Sequence, residues 1–369
     1  MTQIPRNSVY MEWAKTCSSA PFNLATSGVA SVRAREIVLL PNDVELTGPG
    51  GYGYAPLIER IAQHTGAPAE CIVTAAGASM ANYLAMSTVL APGDEVLIER
   101  PGYGLFADVA NYLQARTLHV DRRPESSFGL LMDDLERLTT PRTRLIVLSN
   151  LHNPSGAAIS AEMLRHIGSF AHERGIRVLI DEVYLEMLFD ANPPFAFRIG
   201  QQVSGTDNPF IVTNSLTKTY GLSGLRCGWI LAAPHLSHRM WRLNDLFGVN
   251  APHVSEQMSV SAFENLAWLR DRSHRLLSAN RLLLTQFLNA HPELDCYRSV
   301  AGSVVFPKSP FPDVEQFLGL LRTKYETSVV PGIFFGAANH FRVGVGGETE
   351  NVRGGLERLS SAMSQMAAG

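Results

Sequence analysis

The sequence predicts an α/β fold, with a mainly parallel central sheet in a large domain and a smaller α+β domain after it. Three observations carry that expectation. Short apolar runs alternate with helical patterns through the first two thirds of the chain, as parallel strands joined by helical crossovers do. After about residue 233 the pattern changes to a long helical tract followed by short strands. The length, 369 residues, leaves room for two or three full-sized cores at roughly 100–200 residues per domain.

Residues 1–44 are read as an N-terminal arm that returns to the small domain. The large domain is assigned to residues 45–245. Its candidate strands are Cys71–Thr74, Glu95–Ile98, Arg144–Ser149, Arg177–Ile180, Phe210–Thr213 and Gly228–Leu231. Between them, Met80–Leu90, Leu105–Gln114 and Ala161–Arg174 repeat apolar residues at three-to-four spacing, the period of a helix with one buried face. Ser160 is a predicted N-cap for the last of these, and Gly175 its predicted stop. Such crossovers place helices on both faces of the sheet. From Pro234 to about Ala290 the reading is almost wholly helical. Then come Ser303–Phe306, a helix near Val314–Tyr325, Ser328–Val330, Phe341–Val345 and a last helix from about Glu350. The small domain is assigned to residues 246–369.

Composition narrows the function. Apolar residues make up 46% and charged residues 18%, and 31 Lys and Arg stand against 34 Asp and Glu for a net charge of -3. That balance offers no clustered basic face for nucleic acid. No apolar run approaches the roughly 18–20 residues of a membrane helix. The opening MTQIPRNSVYMEW lacks the basic and apolar regions of a secretory leader. Cys17, Cys71, Cys227 and Cys296 are scattered without a C-x-x-C pair, so neither a disulfide framework nor a metal site is expected. Reduced cysteines and a cytoplasmic location follow as expectations.

A G-x-G-x-x-G match at Gly48, Gly50 and Gly53 raises dinucleotide binding, but that fingerprint needs a strand directly before its first glycine. Here the apolar run Ile37–Leu40 is followed by Pro41 and a polar stretch. The segment reads instead as a glycine-rich lead-in to a helix.

Three other segments carry chemistry. Asn214–Gly228, NSLTKTYGLSGLRCG, sets Lys218 among hydroxyls after a predicted strand, with Arg226 eight residues on. An amine there can form a Schiff base with an aldehyde cofactor, while hydroxyls and a guanidinium fork hold a phosphate. Val178–Tyr184, VLIDEVY, puts Asp181 at the carboxyl edge of the sheet, where ligand sites of open α/β sheets lie. A carboxylate there can pair with a protonated pyridine nitrogen and keep the ring electron-poor. Asn150–Gly156, NLHNPSG, ends another strand and presents the Asn153 amide to the same edge. Taken singly, Asp181 also reads as a helix cap and Asn153 as a turn residue.

HNPSG, DEVY and SLTKTYGLSGLRCGW, in that order, resemble the class I/II aminotransferases, the fold type I family that uses pyridoxal 5′-phosphate. The resemblance runs from about Pro21 to Gly354. It implies that Lys218 holds the cofactor and later moves the proton between substrate Cα and cofactor C4′, and that Asp181 faces the pyridinium. It implies that Asn153 and Tyr184 hydrogen-bond the cofactor phenolate oxygen, with Asn153 also near the substrate. Ser215, Thr217 and Arg226 match phosphate ligands. TAAGASMANYLAM resembles the phosphate loop, where Ala78 and Ser79 offer backbone N–H groups at a helix N-terminus. ERPGYGLF resembles the segment whose aromatic residue, here Tyr103, stacks on the ring. VVPGIFFG…FRVGVGG resembles the segment whose arginine, here Arg342, binds the substrate α-carboxylate, and SGVA around Gly28 resembles the substrate loop.

The activity so implied is transfer of an amino group from an L-amino acid to a 2-oxo acid by a ping-pong mechanism, in a homodimer with the active site near the interface. Carbon–sulfur β-lyases and cyclising or oxidising enzymes share these motifs. A regulatory relative would carry an additional DNA-binding module, for which the first 45 residues hold no basic helix. Many relatives have a tyrosine five residues before the glycine matching Gly53; that position is Gly48. No second arginine marks an acidic side-chain substrate.

Overall fold

The computed structural model describes residues 6–33, 35–38, 44–191 and 193–368. After helix α1 (Val9–Thr16) and a short strand β1 (Phe22–Asn23), the apolar runs join one seven-stranded sheet. Its strands are β2 (Ile72–Ala76), β3 (Glu95–Arg100), β4 (Arg116–Asp121), β5 (Thr143–Ser149), β6 (Arg177–Asp181), β7 (Phe210–Ser215) and β8 (Cys227–Leu231). Their spatial order is β2-β8-β7-β6-β5-β3-β4. β8 runs antiparallel to both its neighbours, β2 and β7, and the other pairings are parallel.

Alternation explains why these runs are so apolar. Val96, Ile98, Val147 and Leu179 pack against α3 (Ala78–Val89), α4 (Gly104–Tyr112) and α8 (Pro234–Asn244). Leu97, Ile146, Leu148, Val178 and Ile180 face the other way. They pack against α2 (Ala55–Thr65), α5 (Met132–Leu138), α6 (Ala161–Glu173), α7 (Ala196–Ser204) and α9 (His253–Glu264). A strand buried on both faces has no polar side to show. β4 was missed in the sequence for the converse reason: at the sheet edge, only Val120 of its RTLHVD is buried. Ser160 caps α6 by accepting a hydrogen bond from Met163 N at 3.1 Å, and Gly175, at φ +65°, turns the chain out of it.

The tract from 234 to 290 is three helices rather than one, α8, α9 and α10 (Leu266–Ala290). α10 bridges two cores, starting with Leu269 against the large sheet and ending with Leu284, Phe287 and Leu288 in a separate cluster. That cluster is covered by α11 (Val314–Thr323) and α12 (Thr349–Ala368). An antiparallel three-stranded sheet, in the order β11-β12-β9, contributes to it. Its strands are β9 (Val304–Val305), β11 (Val330–Pro331) and β12 (Phe341–Gly344). The chain's beginning returns here: β1 pairs with β10 (Thr327–Ser328), and Leu24 is part of the cluster.

Residues 44–54, which hold Gly48, Gly50 and Gly53, form no strand and lead into α2. The end of the apolar run before them, with Pro41, lies outside the described residues.

Candidate active site

The carboxyl ends of β5, β6 and β7 open on a cavity of about 600 Å³ that also meets the first turn of α3, β12 and residues 25–27. Asp181 is the last residue of β6 and only 6% exposed. Its Oδ2 accepts a hydrogen bond from Asn82 Nδ2 at 2.9 Å, and its Oδ1 accepts one from Val183 N at 3.2 Å. Asn82 Oδ1 in turn accepts from Thr213 Oγ1 on β7 at 2.6 Å. Burial pushes the Asp181 carboxyl up, while Asn82, the Val183 N–H and the Lys218 charge pull it back. A carboxylate kept this way is an ion-pair partner in search of a cation.

Lys218 follows β7 and is half-buried. Its Nζ donates to Ser27 Oγ at 3.0 Å, and Tyr184 OH donates to the same oxygen at 2.8 Å. Desolvation lowers the amine's pKa below the ordinary lysine range. Tyr10 and Asp181 favour the charged form, and Arg342 and Arg226 oppose it. The neutral, nucleophilic amine is therefore more available than on an exposed lysine.

Arg342, on β12, is 1% exposed and meets no carboxylate within ion-pair distance among the described residues. Its Nη1 donates to Asn153 Oδ1 at 2.9 Å and its Nη2 to Ala25 O at 2.9 Å, while its Nε has no partner. A buried guanidinium with an orphaned donor is costly unless an anion completes it. Asn153 gives its oxygen to Arg342, which leaves its Nδ2 amide as a donor at the cavity wall.

The other end is built differently. Ala78 and Ser79 begin α3 after Gly77, whose φ is +79°. Arg226 is exposed, at φ +50°, and its Nη2 donates to Ala76 O at 3.1 Å. A Cβ on Gly77 would stand 2.2 Å from that Nη2, so the guanidinium lies directly on the helix start. Ser215 and Thr217 complete this side, with Thr217 N donating to Ser215 Oγ at 3.3 Å. Free N–H groups, a helix dipole and a guanidinium make a ready anion site. Tyr103 caps the start of α4, edge-on to Tyr10 at 5.7 Å, and lines the same cavity.

All the sequence-predicted site residues line this cavity except Gly28. Gly28 packs on the Lys218 backbone, 3.5 Å from its Cα by the position of a Cβ, and its neighbour Ser27 faces the cavity instead. Ser27, Asn82, Ser149 and Tyr10 were missed. Asn82 had a signal, since it lies one helical turn after Ala78 on α3. Ser149 directly precedes NLHNPSG, and Ser27 opens SGVA. Tyr10 had none, because it arrives from α1, far away in the chain.

The donor set suits pyridoxal 5′-phosphate. An anion site lies at one end of the cavity and a buried carboxylate at the sheet edge, with a desolvated amine and an uncompensated guanidinium on the walls.

Comparison with known proteins agrees. The sequence profile of the family Aminotransferase class I and II matches residues 29–359. The chain is 28% identical over 304 residues to a capreomycidine synthase of Streptomyces vinaceus, covering 82% of this chain and 77% of that one. It is likewise 28% identical over 311 residues to an arginine–pyruvate transaminase of Pseudomonas aeruginosa, covering 81% and 76%. A crystal structure of a PLP-dependent aminotransferase from Streptococcus suis superposes with a TM-score of 0.89 at 25% identity over 98% of both chains. The chain belongs to the class I and II aminotransferases, the fold type I family whose cofactor is pyridoxal 5′-phosphate.

Proposed function

We propose that this protein is an aminotransferase that moves an amino group from an L-amino acid to a 2-oxo acid in two half-reactions through Lys218. The observation that carries the reading is the convergence of a desolvated amine, a buried carboxylate and an uncompensated buried guanidinium on one cavity. Pyridoxal 5′-phosphate supplies an aldehyde that takes the amino group and an electron-poor ring that stabilises charge at the substrate Cα.

The chain's residues do the rest. Asp181 would pair with the protonated ring nitrogen, adding the positive charge that its neutral donors, Asn82 Nδ2 and the Val183 N–H, do not supply. Arg342 takes the substrate α-carboxylate in a two-pronged bond and so fixes Cα near Lys218. Lys218 Nζ would hold the aldehyde, be released from it by the incoming substrate amine, and then, as the free amine, take the proton from Cα and return it at the aldehyde carbon. Asn153 Nδ2 would donate to the phenolate oxygen, Tyr184 OH would turn from Ser27 Oγ to do the same, and Tyr103 would stack on the ring. Ala78, Ser79, Ser215, Thr217 and Arg226 would hold the phosphate. Gly28, outside the cavity lining, would act only through its backbone, which packs on Lys218.

A homodimer fits the exposed apolar residues Leu46, Leu246, Phe247 and Val249, the last of which lines a pocket with Gly48, Gly51 and Gly53. Four free cysteines fit a cytoplasmic location. Among the described residues no helix is long and apolar enough to cross a membrane.

The likeness to a capreomycidine synthase supports a second reading, another reaction of the same family. A half-reaction without a second substrate decides between them. One 2-oxo acid released per site and then no more supports transfer. Continuous release of pyruvate and ammonia supports a β-lyase, and a cyclised or oxidised product supports the remaining alternative.

A further inference from the structure

Behind Asn153 lies a polar cluster that the reaction as described does not use. Glu99, at the end of β3, and Arg122, just after β4, are both fully buried and paired at 2.7 Å. Glu99 Oε1 accepts the Ser149 N–H at 2.8 Å and also the Ser149 hydroxyl. Ser149 Oγ then accepts the backbone N–H of Asn153 at 3.0 Å. Ser149 itself lines the cavity. Arg122 is held from behind, its Nε donating to Phe128 O at 2.6 Å.

A second branch leaves the same place. His152 lies 3.9 Å from Glu99 by its Nε2, which bonds Pro101 O at 2.8 Å, and its Nδ1 meets Ser155 Oγ at 2.6 Å. Burial and the Arg122 charge push its pKa well below the usual histidine range, so the ring is neutral. The carbonyl oxygen can only accept, so Nε2 carries the proton and Nδ1 accepts from Ser155. Pro101 and Gly102 lead directly to Tyr103, and a Cβ on Gly102 would stand 2.3 Å from Glu99 O. The cluster thus ties the Asn153 loop to the Tyr103 loop.

A buried ion pair is poor value as stability alone, because apolar residues of the same size usually serve as well. This one also leaves Arg122 Nη2 without a partner. What the arrangement does secure is direction: Glu99 fixes Ser149, whose hydroxyl fixes the Asn153 N–H, and His152 fixes the Pro101 carbonyl two residues before Tyr103.

We propose that Glu99, Arg122, Ser149 and His152 form a buried clamp that orients Asn153 and Tyr103 on the cofactor, with Glu99 and Ser149 as positioning residues. The proposal rests on the assignment of Asn153 to the cofactor's phenolate oxygen. An amide donor there stabilises the negative oxygen, so a loosened Asn153 makes the bound cofactor keep its proton to higher pH.

The test titrates the visible absorbance band of bound pyridoxal 5′-phosphate against pH in wild type, Asn153→Ala, Ser149→Ala and Glu99→Gln, with melting temperature and cofactor dissociation constant measured alongside. The clamp predicts that Ser149→Ala and Glu99→Gln move the midpoint upward, as Asn153→Ala does, by about 0.5 to 1 pH unit in a folded protein. A lower melting temperature with an unmoved midpoint in both overturns the clamp and leaves the cluster as packing. An unmoved midpoint in Asn153→Ala instead overturns the assignment of Asn153, and the clamp with it. Should Glu99→Gln fail to fold, Ser149→Ala, which removes a single hydroxyl, decides the matter.

Discussion

At the sheet edge, Asp181, Asn153 and Lys218 are held by side-chain hydrogen bonds to Asn82, Arg342 and Ser27. Around the first turn of α3 the walls are backbone, Ser79 and Arg226 are exposed, and the glycines Gly77 and Gly228 set the spacing. The proposed ring end of the cavity is therefore specified by what its side chains are, and the proposed phosphate end by where its backbone runs. The two ends should fail differently under mutation, the first by changed chemistry and the second by added bulk.

The largest effect is expected at the ring end. On the proposed mechanism Lys218→Ala removes both the nucleophile and the proton carrier, and turnover should fall by roughly 10⁴-fold or more in single-turnover kinetics. Asp181→Asn keeps the shape but not the charge. Catalysis should drop by about 10² to 10³-fold, the scale of a broken buried ion pair, while the melting temperature of the cofactor-free protein holds or rises, because the raised carboxyl pKa shows that burying this charge is unfavourable.

Arg342→Lys comes next. A point charge cannot reproduce the fork, so KM for the amino donor should rise by about 10- to 100-fold with a smaller change in kcat.

At the phosphate end, bulk decides. A Cβ on Gly228 would stand 2.5 Å from Gly77 C and 2.8 Å from Ala78 N. Gly228→Ala should weaken retention of the cofactor by about tenfold, as expected of overpacking against backbone, without altering the visible spectrum of whatever remains bound. Ser79→Ala leaves the backbone N–H in place and should weaken retention by less than about threefold. A reversal, with Ser79→Ala costing more than Gly228→Ala, would mean that side chains and not backbone define this end.

The same contrast decided what was legible in the sequence. Strands β2, β3, β5, β6, β7 and β8 were visible because burial on both faces leaves an unbroken apolar run, whereas the half-exposed edge strand β4 left none. Asp181, Asn153 and Lys218 were legible because each lies in a short segment at the end of such a run, and residue type carries its chemistry. Ser27, Asn82 and Ser149 act by completing hydrogen bonds for those residues. Serine and asparagine occur everywhere in loops and helices, so only the fold shows which of them meet. Tyr10 and Arg122 reach the site or its support through contacts far apart in sequence, Tyr10 OH lying 3.5 Å from Arg342 Nη2.

Lys218 is proposed to hold pyridoxal 5′-phosphate and to pass through it the amino group of an amino acid. The most direct measurement is the visible absorbance of the protein reconstituted with the cofactor, wild type beside Lys218→Ala, before and after addition of single amino donors. Wild type should show a lysine-dependent band that one donor bleaches with release of a 2-oxo acid, and Lys218→Ala should show no such band. A band in Lys218→Ala that matches wild type and responds to the donor in the same way would contradict this role of Lys218.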